Sequence, residues 1–165
     1  MKKRSDFHKV IIGRAEELSF VDIGTNDVPA KTDTGAYRSA IHASNIKLNQ
    51  QSNELSFDLF KGHPLFDSLA VELKTNQFKL VGVANSFGHR EDRYEVKLRV
   101  KLGPKVFLAS FTLADRSKKI YPILLGRKLL NNRFLVDTFE TSVDRVGLKK
   151  KYGVAFPKDE EELEG

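Results

Sequence analysis

The chain has 165 residues, of which 40% are hydrophobic and 30% are charged, and this suits a single globular domain with its own core. It contains no cysteine, which excludes disulfide bonds, thiolate catalysis and cysteine-ligated zinc. The net charge of +6 makes nucleic acid a partner to consider, but the basic residues are scattered and lack the aromatic interleaving of RNA-binding motifs, which argues against it.

Alternation of apolar and polar residues predicts β-strands along most of the chain. In chain order, the predicted strands are Ala40–Leu48, Glu54–Phe60, Phe78–Ala84, Arg93–Leu102 and Val106–Leu113. One short helix is predicted at Gly126–Arg133, where two leucines would turn inward. Short, evenly spaced strands separated by turns favour an all-β fold, either a small barrel or a sandwich.

The domain organisation is predicted to be simple. Residues 1–156 are predicted to form one domain, and residues 157–165 are predicted to form an acidic, flexible tail. The only apolar run near the start is short and is followed at once by Arg14 and an acidic pair, unlike a signal peptide. No stretch reaches the roughly 18 apolar residues that a membrane span needs. We therefore expect a cytoplasmic protein with no membrane segment.

A carboxylate with little bulk after it stands out in residues 28–43, VPAKTDTGAYRSAIHA. Asp33 follows a short apolar segment, lies between two threonines, and is followed by Gly35 and Ala36. A catalytic aspartate on a tight loop needs such neighbours, because glycine lets another backbone approach closely. Aspartate, threonine and glycine are also common turn residues, so this segment alone leaves both interpretations open.

A second segment, residues 121–137, has an apolar strand that runs into Gly126 and then into the short helix. Together the two segments resemble the retropepsin-like aspartic proteases, in which a D-T-G-A loop is matched by a later G-R-x-L-L helix. The elements DTGAYRSAIHA, SFGHREDR, LADRS and ILLGR are similar to those of the bacterial and archaeal family named ATP-dependent zinc proteases. Members of that family are considered retropepsin-like and are often linked with ATP-grasp glutamate ligases. The resemblance covers residues 28–137.

This resemblance implies a closed six-stranded acid-protease barrel and an aspartic endopeptidase. Aspartic peptide hydrolysis needs two carboxylates that share one proton around a water molecule. The chain has a single D-T-G, so the resemblance implies a homodimer in which the Asp33 residues of two subunits meet at the twofold axis. Thr34 would hydrogen-bond across the dimer, and Gly35 would let the substrate backbone lie over the carboxylates. The loop would be braced by Leu124, Leu125, Gly126 and Arg127, the last as an ion-pair partner.

The predicted flap over the cleft is Ala84–Asp92, a turn between two alternating strands with Gly88 near its tip. The residues predicted to bind substrate are Ala36, Phe87, Gly88, Arg90 and Arg93. The two arginines would bind substrate carboxylates, which would suit a glutamate-rich peptide. A charged hairpin end without any flap function is the alternative interpretation.

Two other classes of function stay open from the sequence. A zinc-dependent peptidase would use histidines among His8, His42, His63 and His89, but none of them stands at the spacing of a helical zinc motif. We therefore predict no metal site and no cofactor. The second class is a non-catalytic binding module that keeps the fold and partners an ATP-grasp ligase. No glycine-rich phosphate loop is present, so any ATP requirement would belong to such a partner.

Overall fold

The structure is a computed structural model that describes residues 8–84 and 87–153. The predicted acidic tail, 157–165, lies outside the described residues, as do positions 85 and 86 of the predicted flap. In the described residues, neither helix combines the length and the hydropathy that crossing a bilayer requires.

The described residues form mostly β-strands, in agreement with the predicted all-β class. The strands are β1 (Val10–Ile12), β2 (Ala15–Phe20), β3 (Thr25–Thr32), β4 (Ser39–Asn49), β5 (Glu54–Leu59), β6 (Val71–Thr75), β7 (Phe78–Ala84), β8 (Arg90–Leu102), β9 (Lys105–Ala114), β10 (Ile123–Leu125) and β11 (Phe134–Val136). The helices are α1 (Arg127–Leu130), α2 (Arg145–Tyr152) and a 3-10 turn at Asp67–Leu69.

Six of these strands close into a barrel. β2 pairs with β3 and β8, and β9 joins β8 to β4. The short strand β10 completes the circuit, because it pairs in parallel with β3 and antiparallel with β4. The closed circuit runs β10, β3, β2, β8, β9, β4 and back to β10. This confirms the predicted closed barrel, whose closure removes the sheet edge that an open sheet would expose.

The remaining strands extend this barrel in three places. β5 and β6 continue the sheet outward from β4, and β7 forms a hairpin with β8. β1 and β11 form a separate two-stranded parallel sheet. The barrel core is filled by alternate residues of the strands, and Phe20 lies between Phe60 and Phe111 with ring-centroid distances of 5.9 and 6.1 Å. Burying such aromatic side chains contributes most of the driving force for folding.

The predicted strands agree with the structure to within three residues at each end, and several elements were missed. Strands β1 and β11 have only three residues each, which is too few for alternation to be recognised. β3 contains Pro29, a residue that argues against a strand interior. The prediction of a single helix was incomplete, because α2 begins after Asp144, whose side chain accepts a hydrogen bond from the amide of Gly147.

Candidate active site

The Asp33 loop leaves the barrel at the end of β3. The amide of Asp33 donates a 2.9 Å hydrogen bond to the carbonyl of Leu125, which is the last residue of β10. The loop then turns tightly, because the carboxylate of Asp33 accepts a 2.9 Å hydrogen bond from the amide of Gly35. The Asp33 carbonyl accepts a second bond, of 3.2 Å, from the amide of Ala36. Asp33 is partly buried. The three hydrogen bonds hold both its main chain and its carboxylate in place.

Gly126 and the start of α1 brace this loop from beneath. The amide of Gly126 donates to the hydroxyl of Ser39 at 3.0 Å. A side chain on Gly126 would place its first carbon 2.6 Å from the carbonyl carbon and oxygen of Arg38, so only glycine fits here. The next amide, that of Arg127, donates to the carbonyl of Ala36 at 2.8 Å. The loop therefore satisfies main-chain donors at the start of α1.

The side chain of Arg127 reaches the exposed part of the loop. Its guanidinium donates a 3.0 Å hydrogen bond to the carbonyl of Thr34 and lies 5.9 Å from the centre of the Tyr37 ring. This hydrogen bond to a carbonyl takes the place of the ion pair that the resemblance implied for Arg127. Thr34 and Gly35 are themselves exposed, so the tip of the loop faces outward from the barrel.

A cleft of about 940 Å³ opens beside the loop. Its wall includes Asp33, Gly35, Ala36, Arg93, Leu124 and Arg127, all of which were predicted for the site. Three others, Phe87, Gly88 and Arg90, lie on the predicted flap and are not part of the described cleft wall. The last three predicted residues are not in the described cleft wall. Thr34 belongs to the loop itself, and Leu125 and Gly126 support the loop from β10 and the start of α1.

The β7–β8 hairpin borders the same cleft. Its last strand pair is Ala84 with Arg90, and Phe87 beyond it is 85% exposed. Gly88 has a φ of +79°, a left-handed conformation that favours glycine in a tight turn. The last three residues of β7 line the cleft, and Arg93 on β8 lines it while pairing with Glu91. The predicted hairpin is thus present at the border of the cleft that contains Asp33, and its function as a flap stays a prediction.

The charge of the cleft is strongly one-sided. Asp33 is the only carboxylate in the described cleft wall, and it is surrounded by eight lysine and arginine residues. The cations are Lys31, Arg38, Arg93, Arg116, Lys118, Lys119, Arg127 and Arg145. Sequence reasoning named only two of these for the site. A signal was available for Arg38 and Arg116, which stand within the quoted segments DTGAYRSAIHA and LADRS.

Arg116 is a cation of the cleft wall whose guanidinium is held by the main chain. Its Nε donates to the carbonyl of Tyr121 at 3.0 Å, which fixes one side of the guanidinium. Burial and the neighbouring charge of Arg93 lower the pKa of Arg116 to about 10, while Asp33 acts in the opposite direction. The group therefore stays protonated at neutral pH, although part of its hydration has been removed. A cation prepared in this way binds a carboxylate more strongly than a fully hydrated one.

Glu95 on β8 is a buried acid that organises three cations at the edge of the cleft. Its side chain is 2% exposed and lies 2.5 Å from Arg38, 3.1 Å from Lys128 and 3.4 Å from Lys79. Burial would raise the pKa of Glu95, but hydrogen bonds from Lys128 and Arg38 outweigh it and hold the pKa below its usual value. The ionised acid thus links β8 to the residue that follows Tyr37 and to α1.

The described residues do not fit a zinc site. They contain no group of three or more histidine, aspartate or glutamate side chains placed to hold a metal ion. His42 and His63 do lie close together, with ring centroids 5.4 Å apart. Both nitrogens of each ring are engaged with the main chain, at 2.7–3.1 Å, so neither ring has a nitrogen to offer a metal.

A closed barrel that carries a D-T-G-A loop braced by a G-R-x-L-L helix defines a retropepsin-like protein. The profile of the family described as "RimB-like: Retropepsin-like aspartic endopeptidase RimB" matches residues 11–145, and the chain belongs to this family.

The chain is also similar to longer proteins and to a solved structure. It is 31% identical over 158 residues to a protein of Desulfotalea psychrophila named "Probable alpha-L-glutamate ligase", covering 94% of this chain and 34% of that protein. A protein of the same name from Shewanella pealeana is 34% identical, with 81% of this chain and 30% of that protein covered. The chain thus spans about a third of the length of these curated relatives.

Among solved structures, a protein of unknown function from Legionella pneumophila is similar, with a TM-score of 0.63 and 27% identity. The match covers 81% of this chain and 97% of that one.

Proposed function

We propose that this chain is an aspartic endopeptidase that works as a homodimer and hydrolyses acidic, glutamate-rich peptides. The observation that carries the proposal is a single carboxylate, Asp33, on a braced loop in a cleft whose other charged residues are all cationic. The carboxylate supplies half of the chemistry, and the surrounding cations supply the selectivity. The family to which the chain belongs supports the aspartic mechanism.

The need for a second carboxylate supports the homodimer. Thr34 and Gly35 are exposed at the tip of the loop, so the tips of two subunits can approach one another. Two segments that hydrogen-bond to each other, residues 11–14 and 135–140, carry the exposed apolar side chains Ile11, Leu135 and Phe139, which are 66%, 52% and 84% exposed. Exposed apolar side chains grouped in this way mark a surface that another protein covers.

Hydrogen bonds connect this apolar surface to the Asp33 loop. The amide of Thr32 donates to the carbonyl of Arg14 at 2.9 Å, and the hydroxyl of Thr32 donates to the carbonyl of Gly13 at 2.9 Å. The guanidinium of Arg14 in turn donates to the carbonyl of Phe139 at 2.8 Å. A partner subunit that covered Phe139 would therefore also lie near the end of β3, where the Asp33 loop begins.

The proposed reaction uses the two Asp33 carboxylates in different protonation states. The ionised one takes a proton from the bound water, whose oxygen attacks the carbonyl carbon of the scissile peptide bond. The protonated one gives its proton to the carbonyl oxygen, which yields a neutral tetrahedral diol. The carboxyl group that took the water proton then gives it to the peptide nitrogen, and the other carboxylate takes a proton from one hydroxyl of the diol. The carbon–nitrogen bond breaks, the amine and a carboxylic acid leave, and one Asp33 is again ionised and the other protonated. The Gly35 amide, which donates to the Asp33 carboxylate, keeps that carboxylate oriented throughout.

The cationic wall supports an acidic substrate. Side-chain carboxylates on either side of the scissile bond would face Arg116 and Arg93, with Arg38 and Lys119 further along the cleft. Charge-assisted hydrogen bonds of this kind are about twice as strong as neutral ones.

We also propose that the chain acts together with a glutamate ligase. The relatives named as probable ligases match this chain over only about a third of their length, so their remaining length is available for a second activity. A ligase that adds glutamates would supply the acidic peptide that the cleft is suited to bind. The proposal includes neither zinc nor ATP as a requirement of the peptidase itself.

The decisive experiment incubates the purified protein with oligoglutamate and, separately, with oligolysine of equal length. We expect only oligoglutamate to be cleaved, Asp33→Asn to abolish cleavage, and EDTA to leave it intact. Loss of activity on chelation, restored by zinc, would contradict the aspartic mechanism. Tight binding of oligoglutamate without any cleavage would instead identify a binding module that serves the ligase.

A further inference from the structure

Two buried histidines lie behind the cleft, and the proposed reaction does not use them. His42, on β4, is 2% exposed, and His63, just after β5, is 0% exposed. Their rings meet edge to face, with an angle of 74° between their planes. A buried histidine has to satisfy both ring nitrogens, and these two do so entirely with main-chain groups.

Both histidines bind the loop that joins β9 to β10, residues 115–122, which we call the basic loop because it carries Arg116, Lys118 and Lys119. The Nδ1 atom of His42 accepts a 2.9 Å hydrogen bond from the amide of Arg116. The Nε2 atom of His63 donates a 2.7 Å hydrogen bond to the carbonyl of Lys119. The two histidines therefore hold the basic loop at two points three residues apart.

The other nitrogen of each ring binds residues 60–66, the segment to which His63 itself belongs. The Nε2 atom of His42 donates to the carbonyl of Lys61 at 2.8 Å, and the Nδ1 atom of His63 accepts from the amide of Leu65 at 3.1 Å. Because Nδ1 accepts in both rings, both are neutral and carry their proton on Nε2. The two rings thus connect residues 60–66 to a loop that lines the cleft.

Besides these bonds, Ile120 and Tyr121 are buried, and the Pro122 carbonyl accepts a 2.8 Å hydrogen bond from the His42 amide at the far end of the basic loop. Within it, the amide of Lys119 donates to the carbonyl of Arg116 at 3.0 Å, and the side chain of Arg116 donates to Tyr121. These two bonds shape the loop. The side chains of the two histidines connect it to β4 and to residues 60–66 close to its cations, at Arg116 and Lys119, which line the cleft together with Lys118.

We propose that His42 and His63 are positioning residues that hold the basic loop, and with it Arg116 and Lys119, at the cleft wall. This inference rests on the proposed function only for its consequence, which is the affinity for an acidic peptide. A cation that is held in place before binding loses less conformational freedom on binding, so a loosened loop binds the same peptide more weakly.

Asparagine and glutamine separate the two bonds of each ring. Asparagine places an amide group near the position of Nδ1, whereas glutamine reaches the position of Nε2. At residue 42 the bond to the basic loop is made by Nδ1, so His42→Asn keeps it and His42→Gln loses it. At residue 63 that bond is made by Nε2, so His63→Gln keeps it and His63→Asn loses it.

The expected result is a crossed pattern. In an Asp33→Asn background, where the peptide is not consumed, binding of a labelled oligoglutamate is measured by fluorescence anisotropy. We expect His42→Gln and His63→Asn to bind about tenfold more weakly, as the loss of one hydrogen bond implies, and His42→Asn and His63→Gln to stay within about threefold. His8→Gln, which replaces an exposed histidine, is the control.

Two further measurements need no substrate. Hydrogen exchange of the amides in the basic loop should speed up in His42→Gln and His63→Asn, and not in the other two variants. Nitrogen chemical shifts of the unsubstituted protein should show both rings neutral and protonated on Nε2.

Three results would overturn the proposal. They are an equal loss of affinity for asparagine and glutamine at either histidine, losses in the opposite order, and a ring that is protonated on Nδ1. If oligoglutamate does not bind at all, the proposed substrate fails, while hydrogen exchange and the chemical shifts still decide the role of the histidines.

Discussion

Arg38 and Glu95 form an ion pair of 2.5 Å that joins the segment after the Asp33 loop to strand β8. Glu95 is almost completely buried, and it also binds Lys128 of α1 at 3.1 Å. The ionised acid is therefore surrounded by cations whose hydration has been partly removed. Through Arg38 and Lys128, Glu95 therefore holds β8, the segment after the Asp33 loop and α1 in one arrangement.

Replacing Glu95 by glutamine should destabilise the protein, because the charges of Arg38 and Lys128 would lose their buried counter-charge. We expect the free energy of unfolding to fall by about 2 kcal/mol, measured by urea denaturation at neutral pH. The matched control is Glu72→Gln, which removes an exposed acid 4.0 Å from Lys74 and should change stability by less than about 0.5 kcal/mol. Equal effects of the two substitutions would contradict the role given to Glu95.

A second prediction concerns His63 and acid. Burial, the largest cause, lowers the pKa of His63 from 6.5 to about 4, and the charge of Arg116 acts in the same direction, although the bond to Lys119 and the charge of Asp115 act in the opposite direction. Between these two values the unfolded chain binds a proton that the folded protein does not. The stabilisation is therefore complete above pH 6.5 and is lost as the pH falls towards 4.

This difference amounts to about 3 kcal/mol by pH 4. His63→Gln removes the titrating group, so its unfolding free energy should fall less steeply over the same range. Denaturation curves of both proteins at several pH values measure the difference. Identical slopes would mean that His63 is already charged in the folded protein.

The sequence predicted the Asp33 loop and its support because both signals are local. A D-T-G-A segment after a strand, and a Gly126–Arg127 pair before two inward leucines, can be recognised without knowing the fold. The β7–β8 hairpin was predicted for a similar reason, since alternation over Phe78–Ala84 and Arg93–Leu102 is long enough to be clear.

The cationic wall could not be predicted in the same way. Lys31, Arg116 and Arg145 are far apart in the chain, and only the closed barrel brings them to one cleft. The pairing that does so uses β10, a strand of three residues whose partners are β3 and β4. Along the chain the lysines and arginines are scattered. The sequence alone does not show which loops meet, so it does not reveal that eight of these cations line one cleft.

Arg116 is predicted to select the acidic substrate. Arg116→Gln should raise the KM for oligoglutamate by about tenfold with a smaller change in kcat, because a charged hydrogen bond to the substrate would be lost. The control is Arg99→Gln, an exposed arginine 3.9 Å from Asp22 and outside the described cleft wall, which should leave KM unchanged. Raising the ionic strength to about 1 M should weaken substrate binding more in the unsubstituted protein than in Arg116→Gln. Salt screens the attraction between Arg116 and the substrate, and the substituted protein has already lost that attraction. If Arg116→Gln and Arg99→Gln changed KM equally, the substrate would not bind at Arg116.

The proposed homodimer should depend on the exposed apolar side chains Ile11, Leu135 and Phe139. Phe139→Asp introduces a charge where a partner subunit would bury an aromatic ring, and such a charge without a counter-charge is costly at an interface. We expect the dissociation constant of the dimer to rise by at least about a hundredfold, and peptide cleavage at low protein concentration to be lost with it. Because each subunit supplies one Asp33, activity of the variant should recover more steeply than linearly as its concentration is raised.

Val21→Asp, at an exposed residue in the turn before β3, tests whether any added acid has this effect, and it should leave both the dimer and the activity unchanged. Sedimentation of both variants, with cleavage measured over the same range of concentrations, decides the matter. A monomer of the unsubstituted protein that cleaves oligoglutamate in strict proportion to its concentration would show that Asp33 works without a second copy of itself.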